Sequence, residues 1–551
     1  MSDWWRRGVI YQIYPRSFAD TNGDGIGDLG GIVERLDHLR GTTASLGVDA
    51  IWMSPIYPSP LADFGYDVSD YMAIDPVFGD LGTFDRLVAE SHRRGLRVLL
   101  DLVPCHTSAE HPWFMASRSS RRDPRRDWYV WADPAPDGGV PNNWLSVFGG
   151  PAWQLDEATG QYYLHSFYPE QPDLNWRNPA LADAFGEILR FWRARGVDGF
   201  RIDAIDRAVK DRHLRDNPPA AGIFVPRLPE RHRHELRLWN KDRPEVIEVV
   251  RSLRAAAESA GEPGALLIGE SYIPIERMAR YLGVGPGDAF DLVFDFDFLF
   301  AGWDAPKLRA SIESAEALLP DHGWPCRMLS SHDVARHATR FGADAVRAAA
   351  LLLITLRGTP VLYMGEEIGM LDVAPGESGG LDRSGRDSSR SPMHWERTPG
   401  GGFSTGTPWL AYGDTAACNV ADQRADPHST LALYRDLIAL RHDVEAIGAG
   451  DQRAIDLPPD APALAFVRTS GGQRAAVVVN CGRVDLELDL ATAGRGRLPA
   501  VGQLAISTSP ERPPGEQVPL SAVVLAPHEA IVVHLDDQGS TSRSRSATLT
   551  T

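Results

Sequence analysis

The sequence predicts an α/β fold, a closed (β/α)8 TIM barrel of parallel strands. Two observations predict it: eight short apolar segments recur, and most of them alternate with amphipathic stretches of helical length. At 551 residues the chain also exceeds what one hydrophobic core usually serves, so two or three folding units are expected. Strands that alternate with helices pair in parallel, and eight such units close most economically into a barrel. The predicted strands are 9–14, 50–55, 96–106, 197–203, 265–270, 292–298, 327–333 and 360–366.

The helix before the fourth strand carries start and stop signals. Asn178 can cap its N-terminus, Pro179 fits the first turn, and Gly196 ends it. A single apolar stripe is expected to face the barrel, and it consists of Leu181, Phe185, Ile188, Leu189 and Trp192.

Two further units are predicted. The stretch 106–176 is too long for one helix and rich in Trp, Tyr, Pro, Gly and Asp, which indicates an inserted domain after strand 3 that walls a pocket. Short alternating runs between turn residues indicate a C-terminal antiparallel β-sandwich. The predicted boundaries are 1–105 and 177–440 for the barrel, 106–176 for the inserted domain, 441–537 for the sandwich and 538–551 for a disordered tail.

Composition excludes several partners. A net charge of -18 argues against nucleic acid or an anionic membrane and suits a neutral ligand. Because the N-terminus lacks the apolar run of a secretory signal and no run could span a bilayer, we expect a cytoplasmic protein, a monomer or a homodimer. The cysteines form no CxxC pair and are expected to be reduced: Cys105, Cys326, Cys418 and Cys481.

Charged side chains end several predicted strands. Period-two alternation sends Arg201 and Asp203 to the same side of the fourth strand. The guanidinium favours an ionised carboxylate, so we expect a lowered pKa for Asp203, as a nucleophile needs. Glu270 ends the apolar fifth strand, where its carboxyl is expected to have the raised pKa of a general acid.

Two carboxyls of unlike pKa are what a retaining glycosidase needs: one attacks the anomeric carbon, and the other protonates the leaving oxygen and then deprotonates water. Asp333 ends the seventh strand and can stabilise oxocarbenium charge, and His106 ends the third. The alternative is that Arg201 and Asp203 form a structural ion pair and that Glu270 is a solvated strand end. The joint placement at one rim favours catalysis.

Several motifs make the chain similar to glycoside hydrolase family 13, the α-amylase superfamily, and within it to the α-glucosidase and oligo-1,6-glucosidase group. The resemblance spans about residues 5–395, with the motifs Asp101-Leu-Val-Pro-Cys-His106, Gln171-Pro-Asp-Leu-Asn175, Gly199-Phe-Arg-Ile-Asp203, Ile268-Gly-Glu270 and Ser331-His-Asp333. It implies Asp203 as nucleophile, Glu270 as acid/base and Asp333 as transition-state stabiliser. It also implies three side chains that bind glucose in subsite −1: His106, Arg201 and His332.

Two more segments resemble parts of this pocket. Asp63-Phe-Gly-Tyr66 resembles a loop whose Asp holds the terminal glucose and whose Tyr stacks on it, and Arg386 resembles the Arg that pairs with that Asp. A pocket closed in this way implies exo-cleavage of single glucose units from a non-reducing end. The alternatives are core packing for Tyr66 and a solvated ion pair for Arg386.

An oxygen-rich loop follows the first strand. It places side-chain oxygens at positions 1, 3, 5 and 9 and a carbonyl at position 7, as in a calcium loop, but Gly31 stands where a bidentate Glu would be. The resemblance implies Ca2+, or Mg2+, as a structural ion and no organic cofactor, and the alternative is a metal-free turn. The candidate ligands are Asp20, Asn22, Asp24, Ile26 and Asp28.

The chain departs from the family pattern at several positions. Cys105 and Ser331 replace asparagines that tie loops by hydrogen bonds, so the resemblance does not fix how these loops are held. Met364 and His394 replace glutamines. Ala204 follows the nucleophile where Val accompanies α-1,6 specificity and smaller residues accompany α-1,4, so it favours α-1,4 bonds, by about 1–3 kcal/mol at most.

These features predict a retaining, exo-acting α-glucosidase that releases glucose from short α-glucosides such as maltose and malto-oligosaccharides through a covalent glycosyl-enzyme. Rivals on the same machinery are a transglucosylase, a trehalose synthase, a sucrose isomerase and an oligo-1,6-glucosidase. A rival of another class is an inert barrel that binds carbohydrate or acts as a scaffold. Such relatives have lost catalytic carboxylates and gained a membrane helix, whereas all three carboxylates are present here.

Overall fold

The computed structural model describes residues 3–219, 237–259, 261, 264–374, 380–493 and 498–535. The first part of the chain alternates helices and strands. In order, its elements are α1 (Trp4–Arg7), β1 (Ile10–Ile13), α2 (Leu29–Leu39), β2 (Ala50–Met53), α3 (Leu81–Arg93) and β3 (Arg97–Leu102).

An excursion then separates β3 from the next barrel strand. It contains α4 (Pro112–Ser119), β4 (Trp131–Ala132), β5 (Trp153–Asp156) and β6 (Gln161–Leu164). The three strands pair antiparallel in the order β4-β6-β5 and form a small sheet of their own.

The alternating pattern resumes after this excursion. The elements are α5 (Ala180–Ala194), β7 (Gly199–Ile202), α6 (Val246–Ser259), β8 (Leu266–Gly269), α7 (Ile275–Met278), β9 (Leu292–Phe294), α8 (Phe296–Phe300), α9 (Ala305–Leu318), β10 (Pro325–Met328), α10 (His337–Phe341), α11 (Val346–Thr355) and β11 (Thr359–Tyr363).

Eight parallel strands close into a barrel in the order β1-β11-β10-β9-β8-β7-β3-β2, which confirms the predicted (β/α)8 fold. Every predicted strand overlaps an observed one. The seventh begins at Pro325, two residues earlier than expected, because a proline is tolerated as the first residue of a strand. In α5, Asn178 Oδ1 accepts from Ala180 N over 3.0 Å, and the helix stops before Gly196, whose φ is 89°.

The chain continues into helices and then into antiparallel strands. The elements are α12 (Val420–Ala425), α13 (Thr430–Asp443), α14 (Glu445–Ala449), β12 (Asp451–Ala454), β13 (Ala463–Ser470), β14 (Gln473–Asn480), β15 (Leu486–Leu488), α15 (Leu490–Ala493), β16 (Val501–Ser507), β17 (Gln517–Pro519), β18 (Val523–Leu525) and β19 (Ala530–His534). A six-stranded and a two-stranded sheet share a separate apolar core.

The predicted boundary between 440 and 441 falls inside α13, and the first antiparallel strand begins only at Asp451. The predicted tail, 538–551, lies outside the described residues. All four cysteines are unpaired. No described helix combines the length and apolarity needed to cross a membrane.

Candidate active site

Arg201, on β7, contacts three carboxylates at the C-terminal ends of neighbouring barrel strands. Its Nη1 lies 2.8 Å from Asp101 Oδ1 and 2.5 Å from Asp203 Oδ1, and its Nη2 lies 3.6 Å from Glu270 Oε1. Asp101 meets Arg201 because β3 and β7 pair in that register. One guanidinium thus holds the carboxyl groups of Asp203 and Glu270 beside each other.

The backbone that follows β7 orients the carboxylate of Glu270. Ala204 N donates to Glu270 Oε2 over 2.7 Å, and Ile205 N donates to the Glu270 carbonyl over 3.2 Å. Ala204 has a left-handed backbone with φ of 42°, a conformation that costs a non-glycine residue about 1–2 kcal/mol. The position predicted to select the linkage therefore also holds the acid/base candidate in place.

Burial raises the pKa of both carboxylic acids. The pKa of Glu270 rises to about 8, and burial together with Asp101 and Asp333 raises the pKa of Asp203 to about 7 in spite of Arg201. The prediction of a lowered pKa for Asp203 is therefore wrong, because burial, together with the neighbouring carboxylates Asp101 and Asp333, outweighs Arg201. A raised pKa suits Glu270 as a proton donor near neutral pH.

Asp333 lies in the opposite electrostatic environment. Its Oδ1 is 3.1 Å from both Arg386 Nη1 and Arg390 Nη2, and its Oδ2 is 3.2 Å from His332 Nε2. Burial alone would raise its pKa, but His332 and the two guanidiniums outweigh burial and hold the pKa below its usual value. Ser331 Oγ accepts from Asp333 N over 3.1 Å, so the hydroxyl provides the hydrogen bond that shapes this turn.

Tyr66 links the two electrostatic environments. Its hydroxyl donates to Asp101 Oδ2 over 2.9 Å and lies 2.6 Å from His332 Nε2, and its ring stacks on His332 at 5.4 Å between centroids. Burial lowers the pKa of His332 to about 3, so the imidazole is neutral. Gln12 Nε2 lies 2.7 Å from His332 Nδ1, and a neutral ring that accepts there carries its proton on Nε2.

Asp63 and Arg386 form an ion pair at one end of the site, and Arg386 also contacts Asp382 over 2.8 Å. Gln171 Nε2 donates to Asp63 Oδ2 over 3.0 Å and lies 3.0 Å from His106 Nε2. Burial lowers the pKa of His106 to about 4, so this ring is neutral too. The structure therefore brings all six predicted sugar-binding side chains to the rim that holds the three carboxylates.

The excursion after β3 and the segment after residue 380 meet over this end of the site. Tyr168 Oη lies 2.7 Å from Ser384 Oγ, the Arg383 guanidinium lies 4.1 Å from the Tyr168 ring centroid, and Phe148 stacks on Tyr168. The side chain of Asp333 is 22% exposed, whereas Asp203 and Glu270 are 7% and 5% exposed. Asp333 is therefore the most exposed of the three carboxylates.

Cys105 belongs to a buried group with His106 and Asp173, whose potential ligand atoms lie within 4.8 Å of one another. Lys210 Nζ lies 2.8 Å from Asp173 Oδ2 and 4.0 Å from Cys105 Sγ, so an ammonium group already neutralises this carboxylate. Burial raises the pKa of the Cys105 thiol far above its usual value, which keeps it uncharged. We assign no metal to this group.

The predicted ion loop is shaped by its own side chains. Asp20, Asn22 and Asp24 accept backbone N–H groups within the loop, the last of them from Ile26 over 2.8 Å, whereas Asp28 caps α2. Among the described residues these carboxylates do not form a group of three within 4.8 Å of one another. The donors are all oxygens, which fits Ca2+ or Mg2+ chemistry.

Sequence reasoning missed five side chains of the site: Gln12, Asp101, Gln171, Tyr272 and Arg390. Asp101 and Gln171 begin the family-like motifs 101–106 and 171–175, and Arg390 lies four residues after Arg386. The sequence therefore contained a signal that these three residues belong to the site. Gln12 and Tyr272 carry no such signal. Tyr272 is 44% exposed and stacks on Phe296 at 4.0 Å between ring centroids, close behind Glu270 in the chain.

A closed parallel barrel with these carboxylates at its C-terminal rim defines a glycoside hydrolase of the α-amylase type. Residues 12–450 match the family described as "Alpha amylase, catalytic domain". A probable alpha-glucosidase of Rhizobium meliloti (strain 1021) is 43% identical over 87% of this chain and 89% of that protein. An oligo-1,6-glucosidase of Heyndrickxia coagulans is 35% identical over 89% of this chain and 94% of that protein.

Solved structures agree. The alpha-glucosyl transfer enzyme XgtA superposes with a TM-score of 0.86 at 40% identity and covers 96% of this chain and 99% of its own. The trehalulose synthase MutB superposes with a TM-score of 0.85 at 32% identity and covers 96% of this chain and 100% of its own. The chain belongs to the α-amylase family, glycoside hydrolase family 13.

Proposed function

We propose that this protein is a retaining, exo-acting α-glucosidase that releases glucose from the non-reducing end of short α-glucosides, with α-1,4 bonds favoured. The observation that carries the proposal is the pair of carboxylates on Arg201, with Asp203 at 2.5 Å and Glu270 at 3.6 Å. The names of the relatives, an alpha-glucosidase and an oligo-1,6-glucosidase, support the substrate class.

In the proposed reaction, ionised Asp203 attacks the anomeric carbon while protonated Glu270 gives its proton to the glycosidic oxygen. A covalent glucosyl-enzyme forms, and Glu270, now a carboxylate, takes a proton from the water that hydrolyses it. Asp333, whose pKa is held low, stays ionised and stabilises the oxocarbenium-like transition state. The reaction uses carboxylates alone and therefore needs no organic cofactor.

We assign substrate contacts to the side chains around these carboxylates. Tyr66 and His332 pack as a stacked pair, which fits a platform for the glucose ring in subsite −1. Polar contacts to the sugar hydroxyls come from a second set of residues: Asp63, His106, Arg201 and Arg386. The Asp63–Arg386 ion pair closes one end of the pocket, so only one glucose unit fits beyond the scissile bond.

Asp203→Asn and Glu270→Gln test the proposal. Each is expected to abolish turnover of an aryl α-glucoside while the circular dichroism spectrum stays that of the wild type, because each removes one reacting carboxyl. Near-full activity in either variant would contradict the assigned role.

A transglucosylase is the second candidate, because XgtA, an alpha-glucosyl transfer enzyme, is 40% identical to this chain. Incubation of the pure protein with maltose, isomaltose, sucrose and trehalose separates the candidates. Glucose as the main product of maltose supports hydrolysis, relinked or longer sugars support transfer, and trehalose from maltose supports isomerisation.

We also propose that the loop from Asp20 to Asp28 holds a structural Ca2+ or Mg2+, that the protein is cytoplasmic, and that it is a monomer or a homodimer. The support for the ion is the all-oxygen donor set. Thermal unfolding with and without a chelator tests it: a lower midpoint that added Ca2+ restores is expected, and an unchanged midpoint argues for a metal-free turn.

A further inference from the structure

Lys241 joins the two loops that carry the proposed catalytic carboxylates. Its Nζ forms an ion pair with Asp206 Oδ2 at 3.0 Å and donates to the Tyr272 carbonyl over 2.9 Å. Asp206 lies three residues after Asp203, and Tyr272 lies two residues after Glu270. A single ammonium group therefore fixes the chain that follows the nucleophile against the chain that follows the acid/base.

The next residue, Asp242, reinforces this junction. Its backbone N donates to the Asp206 carbonyl over 2.6 Å, and its carboxylate accepts from Tyr281 Oη over 2.7 Å and pairs with Arg277 and Arg280. Asp242 has a φ of 53°, an uncommon conformation for a non-glycine residue that persists only where surrounding contacts hold it. We call Lys241 and Asp242 together the 241–242 clamp.

The ion pair between Lys241 and Asp206 is buried, and its burial indicates whether the pair mainly adds stability or mainly fixes geometry. Lys241 is 8% exposed and Asp206 is 2% exposed. Desolvation offsets most of the attraction within a buried ion pair, so such a pair adds little net stability compared with apolar residues of similar size. A buried pair does impose one geometry, because moving either charge leaves the other unpaired. Here the imposed geometry is the spacing of the two catalytic loops.

We propose that Lys241 is a positioning residue that sets the placement of Glu270 relative to Asp203 and thereby makes proton donation to the leaving group efficient. The proposal rests on the glucosidase function proposed above. Proton transfer needs the donor within hydrogen-bond reach of the glycosidic oxygen at the moment of attack. A displacement of about 1 Å can reduce the rate about 100-fold.

Two substrates that differ in their need for an acid test this role. When maltose is cleaved, the leaving group is the 4-oxygen of the second glucose unit, which needs the proton of Glu270, whereas α-glucosyl fluoride loses fluoride with little help from a general acid. In Lys241→Met, kcat/KM is expected to fall about 10- to 100-fold for maltose and less than about 3-fold for the fluoride. Lys241→Arg keeps the charge and is expected to recover most of the maltose activity.

The chain offers a matched control in Lys307, whose side chain is 70% exposed and pairs with Asp304 at 3.4 Å. Lys307→Met is expected to leave both rates unchanged. If Lys241→Met does not fold, Asp242→Asn, which is nearly isosteric, is measured instead and is expected to change the same ratio.

The outcomes separate the two proposals. A wild-type protein that turns over neither substrate contradicts the glucosidase function. A wild-type protein active on both, combined with equal losses on the two substrates or with no loss in the clamp variants, contradicts the positioning role alone. A selective loss on maltose supports the clamp, because a purely structural defect would lower both rates together.

Discussion

The two halves of the candidate site use the same kinds of residue with opposite electrostatic results. Around Arg201, three carboxylates share one guanidinium, and the pKa of Asp203 and of Glu270 is raised. Around Asp333, two guanidiniums contact one carboxylate, and its pKa is lowered. Asp203 and Glu270 are 7% and 5% exposed and the Asp333 side chain is 22% exposed, so the direction of each shift follows from burial together with the number of cations beside the carboxylate.

This difference matches the role proposed for each carboxyl group. A carboxyl that must carry a proton, or shed it near neutral pH, belongs in the half that is poor in cations. A carboxylate that must remain charged against a developing oxocarbenium ion belongs in the half that is rich in them.

Among variants that keep the three carboxyls, the largest expected effect comes from Arg201→Lys. A lysine keeps one positive charge but cannot place separate donors on Asp101, Asp203 and Glu270, so the two reacting carboxyls lose their common support. We expect kcat/KM for an aryl α-glucoside to fall on the order of 100-fold. Steady-state kinetics checks this, with circular dichroism as the folding control. Activity within a few-fold of the wild type would mean that the shared guanidinium is dispensable.

The pH profile of kcat/KM reports the apparent pKa values of Asp203 and Glu270, the two carboxyl groups in the half of the site that is poor in cations. The proposed reaction needs ionised Asp203 and protonated Glu270, so activity is expected to rise with pH through about 7 and to fall through about 8. Because both carboxyls share Arg201, the two apparent values belong to the pair. An acid limb near the ordinary pKa of an aspartate would show that Arg201 does outweigh burial.

Arg386→Ala opens the half that is rich in cations. It removes the partner of Asp63 and one partner of Asp333, so we expect kcat/KM for maltose to fall about 10-fold or more. The rate on longer malto-oligosaccharides relative to maltose is expected to rise, because the end of the pocket is no longer closed. Arg397→Ala is the matched control, since Arg397 is 66% exposed and pairs with Asp422. Equal losses on all chain lengths would contradict a pocket closed by Arg386.

The smallest expected effect is a pair of opposite shifts in Tm. The folded-state pKa of Glu270 is raised, so the folded protein loses stability as pH rises from the unfolded pKa through about 8, and Glu270→Gln removes this loss. The pKa of Asp333 is lowered, so its ionised form adds stability above the unfolded pKa, and Asp333→Asn removes that gain. At pH 9 we expect a Tm a few degrees higher for Glu270→Gln and lower for Asp333→Asn by calorimetry. Shifts of the same sign would overturn the comparison.

Local sequence patterns were enough to predict the barrel and the positions of its carboxylates. Apolar runs mark buried parallel strands, and the residue that ends such a run lies at the rim, as Asp203 and Glu270 do. The helix α5 was equally readable, because its cap, its stripe and its terminating glycine all lie within one stretch of chain.

The features that could not be predicted depend on contacts between distant segments. Asp101 competes for Arg201 only because β3 and β7 pair in one register, so the sequence alone suggested a lowered pKa for Asp203. Lys210, which lies in the segment after β7, pairs with Asp173 in the excursion after β3. Ser331 accepts the hydrogen bond of its turn with a hydroxyl group, where the family pattern has the side-chain amide of an asparagine. The start of the C-terminal sheets was placed too early, because α13 and α14 continue the helical pattern to residue 449.

The ion pair of Asp63 and Arg386 has a consequence for the release of product. In the proposed exo-acting reaction, a glucose unit released against this ion pair would leave through the opening by which the substrate arrived, after the other half of the substrate has gone. Product and incoming substrate would therefore use the same opening. Accumulated glucose would then compete with substrate for the site. A sugar bound at that opening could also accept the glucosyl group in place of water.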